Sequence, residues 1–584
     1  MKIKHYFGLA VIAAMTASCS SNEDLGTAGP GTGTNEAGVS YASFSINLPT
    51  TSGTRAAGDP TFDPGSDYEY KVNDATLLIF KKGEPTKEGE TPKEGDYTFV
   101  ESAELGSMAP WQKPNPDETG VTTHAKITAK LEHVDKNGEF FALVLLNNGT
   151  GTNTKVAVPT DEGMKFSDWN AAVNAKDIAN YTNGFYMANA PLFNNNNVTT
   201  LVAIDKNKIY PTEEQAAKSA ATDIYVERGL AKVTLKTGKA ATGNTDDNYT
   251  VTGVTYKGDK VTIKNWALDV TNTKTFPIHN VDGLSDDYTN IWSNTDTPAG
   301  SNGATTQRFV DNIGTKAKRV YWGKDPNYDN TAADKTALNA EFNNVANKDV
   351  TAEPTTSLYC VENTFNLANM MQGQTTRVVF KAKYIPNGIA ENTNFYKIGK
   401  NTAIWNEDNL VKEIKAAVAS VVKGAAGKTT VTLKAPKNDI TAAGTHYITA
   451  DNIIVKTSET ETATIDKDQI TAINTQLGLN EKKKVGISTY AGGESYYIAR
   501  IKHFGDDLTK WESGLYREKN LEYLGRYGVL RNNWYVLTVQ SVSGPGYPSV
   551  PEVKPNTPDD EDDNYINVSV KILDWAKRSQ DVNL

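Results

Sequence analysis

The sequence predicts an all-β fold with a few short helices, and three observations predict it. Short segments in which apolar and polar residues alternate recur along the chain. Gly, Thr, Asn and Tyr are abundant between them, as turns and strand edges require. Apolar residues at helical spacing occur in only a few stretches. At 584 residues the chain exceeds one hydrophobic core, so two or more domains are expected. A net charge of -10, with no face that concentrates Lys and Arg, argues against nucleic acid as a partner.

The chain opens with Lys2 and Lys4, then an apolar run from Tyr6 to Ala17 that is too short to span a bilayer as a folded helix. It ends in Thr16-Ala17-Ser18-Cys19. Small residues before a cysteine resemble a bacterial lipoprotein signal, which implies a signal peptide over 1–18 and acyl chains such as palmitate on Cys19. Each buried methylene of such chains adds about 0.8 kcal/mol of membrane affinity. Ser20 to Asp24 resembles the surface-export signal of Bacteroidota lipoproteins. Residues 19–38 read as a flexible Gly/Thr/Pro tether.

The first strand follows. Ala42, Phe44, Ile46 and Leu48 alternate with polar or small residues, and Pro49 closes the run. The small, polar loop after it contains Arg55 and Ala56 and has the composition of a protease-sensitive loop. Further strands are expected at 73–81, 124–131 and 139–147, the last apolar enough for the centre of a sheet. Ser167 is the expected cap of a short helix running to Val173, and 211–220 a second one with Pro211 in its first turn. A strand-like stretch, 224–235, runs into Gly/Thr/Asn/Asp-rich residues that place a domain boundary near 240.

Beyond it, 261–270, 357–366 and 375–385 are expected strands, and about 270–355 reads as irregular loops carrying aromatic anchors. Apolar residues at helical spacing over 410–421 and 470–477 predict two helices added to the surface of a β body. Two strong strands follow, in SYYIARIKHF and VLRNNWYVLTVQSVSG, and then a Gly544-Pro545-Gly546 turn. The acidic run 557–564 reads as a flexible tether. In the final strand Ile566, Val568, Val570 and Ile572 alternate with polar residues, whereas Leu573 and Trp575 fall on the other parity, which a bulge would explain. Such a strand on a tether pairs either with its own sheet or with another molecule's.

No catalytic constellation stands out. The six histidines form no HExxH or Cys/His framework, and there is no nucleophile elbow or phosphate loop. Paired aspartates at 246–247, 286–287 and 506–507 sit in loop-like composition, so no enzyme activity, cofactor or metal is expected. With Cys19 otherwise used, Cys360 is a lone thiol in apolar surroundings, expected to be a buried small hydrophobe. The 27 Tyr and 9 Trp leave carbohydrate stacking open as an alternative.

Taken in order, the Cys19 start, the Arg55-Ala56 loop, IYVERGLAKVTL, SLYCVENTFN, TTRVVFKAKYI, SYYIARIKHF, YGVLRNNWYVLTVQSVSGPG and INVSVKILDWAKRSQDVNL resemble the major fimbrial subunits, or fimbrillins, of Bacteroidales type V pili. The likeness is to the minor-fimbrium shaft subunits and spans almost the whole chain. It implies two transthyretin-like β-sandwich domains, at 56–240 and 241–556, and an N-terminal segment, 39–55, removed by an arginine-specific protease cutting between Arg55 and Ala56. The C-terminal segment, 557–584, would then donate its strand to the groove vacated in another copy. Partners would be other copies in a head-to-tail filament, tip and anchor subunits, the processing protease, and the outer membrane through the precursor's lipid. A tip or anchor role and a glycan-binding surface lipoprotein are the alternatives. The residues fit the exchange: four apolar side chains leave with the first strand and four arrive with the last, each worth about 1.5–3 kcal/mol when buried. Trp575 is the expected anchor of the subunit contact.

Overall fold

A computed structural model describes residues 33–49, 67–85, 90–106, 121–194, 197–236, 248–251, 253–284, 310–313, 317–320, 322–330, 334–503, 524–559, 566–573 and 578–579. Strands dominate, and the sheets stack on apolar cores in an all-β sandwich fold, as the alternation predicts. The strands used below are β1 (Ser40–Pro49), β2 (Ala75–Lys81), β3 (Thr98–Gly106), β4 (Val121–Leu131), β5 (Phe140–Leu146), β6 (Met187–Asn189) and β7 (Ala220–Arg228). They form a sheet in the order β3-β2-β5-β6-β7-β1-β4, which Val202–Ala203 joins beside β5. β5 sits inside the sheet, and Ala142 to Leu146 have no exposed surface.

The chain then changes sheet with almost no connection. β7 ends at Arg228, and β8 (Ala231–Leu235) begins three residues later in a different sheet, ahead of the composition change near residue 240. Gly229 makes this crossing possible: a Cβ there would lie 3.0 Å from both Ile178 and Tyr186. With β9 (Asn248–Thr250), β10 (Lys260–Asp269), β11 (Leu358–Cys360), β12 (Arg377–Ile385), β13 (Glu494–Arg500), β14 (Trp534–Val542), β15 (Ile566–Leu573) and β16 (Arg578–Ser579), two more sheets are built. Their orders are β11-β8-β14-β15-β16 and β9-β10-β12-β13. Val233, Tyr535, Leu537 and Val539 of one pack with Val261, Trp266, Phe380 and Tyr497 of the other in one core.

Several local expectations change. The helix at Phe166–Trp169 is a single turn with Lys165 rather than Ser167 at the N-cap position and no side-chain capping bond, and Val173 already lies in a two-residue strand. Thr212, whose hydroxyl accepts from the Gln215 N–H, caps the helix Glu213–Ala217, so Pro211 precedes the cap. In 357–366 only Leu358–Cys360 is strand. The helices Glu407–Val421 and Lys467–Gln476 form, but not as additions to the main sandwich. Leu410, Ile414, Val418 and Ile473 join Tyr396, Ile440, Ile453 and Ile487 in a core of their own, inserted between the hydrogen-bonded neighbours β12 and β13. Within 270–355, Trp322 and Tyr328 anchor a small core with Phe365, Leu367 and Leu530.

Candidate functional site: the seats of the first and last strands

β1 lies between two neighbours. It pairs in parallel with β7 (Ile46 opposite Ile224) and antiparallel with β4 (Ala42 opposite Ala129, Phe44 opposite Ile127). Ala42, Phe44 and Ile46 have no exposed surface and Leu48 has 1%. On the polar face Ser43 and Asn47 are buried as well, Tyr41 and Ser45 are half-buried, and the helix Glu213–Ala217 packs against β1. The Ser43 hydroxyl meets the Thr128 hydroxyl at 2.6 Å, and the Asn47 amide donates to the Ile224 carbonyl. The Ser40 hydroxyl donates to the Val134 carbonyl. Cys19, Arg55 and Ala56 lie outside the described residues.

The described residues resume with a helical turn, α1 (Asp67–Tyr70). The Glu69 carboxylate has no exposed surface and pairs with Lys232 of β8 at 2.8 Å. The Tyr359 hydroxyl donates to the same carboxylate, and the Arg228 Nε donates to the Glu69 carbonyl. The Lys232 ammonium also stands 3.9 Å from the centre of the Trp534 ring. Burial and the bond to Glu69 raise the Tyr359 hydroxyl's pKa, so it stays a donor. A second buried group, His279 with Glu227 and Glu362 with Arg531, lies beside this one where β7 passes into β8. Cys360 is buried, and burial pushes its thiol up to about 12, which makes it inert.

The last strand sits differently. In the single chain β15 pairs antiparallel with β14: Ile572 opposite Tyr535, Val570 opposite Leu537, Val568 opposite Val539, Ile566 opposite Val542. On its other side, among the described residues, stands the two-residue β16. The register is continuous through Leu573, which faces Trp534, and the shift falls at Val539/Ser541 instead of near Leu573. Trp575 lies outside the described residues.

Residues 544–559 leading to this strand are a strap fixed along its length. The Tyr497 and Tyr490 hydroxyls donate to the Gly544 and Gly546 carbonyls. Gly546 lies so close to β13 that a Cβ would be 2.1 Å from the Tyr496 carbonyl oxygen. Tyr547 exchanges two backbone bonds with Tyr496, and Arg377 donates to the Pro551 carbonyl. The expected flexible tether from Thr557 is corrected for its first three residues. Asp559 is buried beside Arg500 at 3.5 Å, and its carboxylate accepts from the Thr375 hydroxyl at 2.5 Å. Sequence reading missed both Glu69 and Asp559. A lysine inside the apolar run of β8 was the available signal for the first; the second was hidden in an acidic run.

Among the described residues no group of three His, Cys, Asp or Glu is placed to hold a metal, and no helix is long and apolar enough to cross a membrane. The architecture is thus that of an all-β sandwich protein whose β1 lies between two long strands and whose β15 lies between one long strand and a two-residue one. Residues 488–581 match the family model of the major fimbrial subunit protein type IV, fimbrillin, C-terminal. The resemblance to fimbrillins is borne out over that region, which runs from ahead of β13 through β16. No curated protein matches in sequence. Among solved structures, a candidate cell adhesion protein from Parabacteroides distasonis is 11% identical (TM-score 0.36, covering 92% of this chain and 99% of that one). The C-terminally truncated tip fimbrial protein Mfa3 from Porphyromonas gingivalis is 11% identical (TM-score 0.29, covering 92% and 100%). At these scores neither overlay carries an argument.

Proposed function

We propose that this protein is a shaft subunit of a fimbrium that supports adhesion and biofilm growth, exported as a lipoprotein on Cys19 and polymerised by strand exchange. Proteolysis between Arg55 and Ala56 releases β1, and Ile566, Val568, Val570, Ile572, Leu573 and Trp575 of another copy refill its seat. The domain limits are 56–240 and 241–556, flanked by the removed segment and the donor. Neighbours in the assembly are further copies, with tip and anchor subunits at the ends. The precursor stands on the outer membrane and the mature protein in the fimbrium.

One observation carries this reading: the two terminal strands occupy seats of opposite kind. β1 holds an interior position whose loss leaves two unpaired strand edges and an apolar trough. β15 holds its sheet by one full ladder, so it leaves at the cost of a single strand pairing. A strand that gains two ladders abroad for one at home moves in the favourable direction, and repeated head-to-tail addition makes an open filament. Amino-terminal sequencing of surface-extracted protein tests this. A start at Ala56 is expected, and an acylated Cys19 in assembled material would overturn the shaft role.

A further inference from the structure

The strap 544–559 gives the C-terminal arm a fixed root, and the root lies deeper than the acidic composition of the segment implies. Asp559 is 3% exposed within a chain run that also contains Asp560, Glu561, Asp562 and Asp563. Its backbone N–H donates to the Met370 carbonyl, and the Gln372 N–H donates to the Thr557 carbonyl. The Gln372 side-chain amide donates to the Pro558 carbonyl, and Pro558 bridges to Met371. Arg500 and Thr375 close on the carboxylate, Arg500 from the end of β13 and Thr375 from just ahead of β12. An aspartate in a solvated tether has no need of a buried arginine, and leaving either charge alone there would be costly.

We propose that the Asp559–Arg500–Thr375 clamp is the pivot of the donor arm. The strap stays on its own subunit in the filament, and only the residues after Asp559 cross to the next copy. This rests on the strand-exchange reading above. Seven peptide steps separate Asp559 from Ile566, and an extended chain covers at most about 25 Å in that length. The clamp therefore sets how close the vacated β1 seat of the neighbouring copy must come, and so the spacing of subunits along the fibre. Freed of the clamp, the arm would gain Pro558 and Asp559 as further tether.

A length-and-release experiment on the full chain, processed in solution and followed by ladders on unboiled gels, tests this. Deleting Asp562 and Asp563 should lower polymer yield about tenfold or more, because a tether too short for its span loses effective concentration steeply. Asp562→Asn with Asp563→Asn, which keeps the length, should assemble like the parent. Adding Arg500→Met with Asp559→Leu to the shortened chain should restore most of the polymer by returning two residues to the arm. Thr375→Val in the shortened chain, which loosens the clamp without unpairing a charge, should give a smaller rescue. It carries the test if the double variant fails to fold by circular dichroism. Full assembly of the shortened chain, or no rescue from any folded release variant, overturns the pivot. Truncation of 565–584 separates the two ideas. If the truncated chain still polymerises, the strand-exchange reading itself falls; if it does not and rescue fails, only the pivot falls.

Discussion

β1 and β15 have the same length class and the same alternation, yet the structure treats them in opposite ways. β1 is paired on both edges and has its apolar face fully buried, with Ser43 and Asn47 of the other face buried too. β15 lies near the rim of a five-stranded sheet, with Arg578–Ser579 outside it among the described residues. Alternation reports which side chains share a face. It does not report whether a strand is central or peripheral, and here that position is what distinguishes β1 from β15.

The largest expected effect breaks the comparison from the β15 side. Deleting 565–584 should abolish polymer and leave folded monomer on unboiled gels; persistent ladders would remove β15 from the donor role. From the β1 side, Phe44→Ala should destabilise the unprocessed monomer by about 3–5 kcal/mol in denaturant titration, the usual cost of emptying a buried aromatic site. The same substitution should leave assembled fibres unaltered, because residue 44 is no longer in them. A fibre that inherits the defect would mean that β1 stays. Trp575→Ala should weaken fibres against heat in detergent while sparing the monomer. Equal fibre stability would remove Trp575 from the contact.

Glu69 sharpens the contrast further. Lys232→Met leaves a carboxylate buried without its cation, and breaking such a pair costs about 3 kcal/mol or more. The loss of melting temperature should be larger in chains starting at Ala56 than in intact ones, since β1 no longer braces the sheet. Equal losses would show that α1 does not secure the new N-terminal region.

The smallest effect is a control remote from both strands. Asp325 is buried, and burial pushes its carboxyl up to about 7, against hydrogen bonds from Asn272, Thr364 and Asn327 that favour the ionised form. Its folded-state pKa is above the unfolded value of 3.8, so its contribution is complete below pH 4 and is lost as pH rises through about 7. Asp325→Asn should flatten the fall in melting temperature between pH 4 and pH 7, equally in processed and unprocessed chains. An unchanged pH slope would show that Asp325 is ionised throughout.

Much of this was legible in the residues because strand alternation is local. β1, β2, β5, β10, β12 and β15 fall where apolar periodicity puts them. What escaped depends on contacts distant in sequence. The helix packed on β1 comes from residues 213–217, and the partner of Glu69 lies in β8. The separate core around Ile414 and Ile473 needed strands too short to stand out. Asp559 was read with its acidic neighbours because nothing nearby in the chain announces Arg500.

The two-residue passage from β7 to β8 has a mechanical meaning. β7 is a wall of the seat that β1 fills, and β8 lies beside β14, which precedes the strap. Under traction along the fibre, force would enter by shear at β7 and continue through Gly229 and Leu230 in the same covalent run. It would then pass by shear from β8 to β14. The load path crosses between strands through only two residues instead of a long loop, so the fibre would resist stretching at the very place where an ordinary two-domain chain yields.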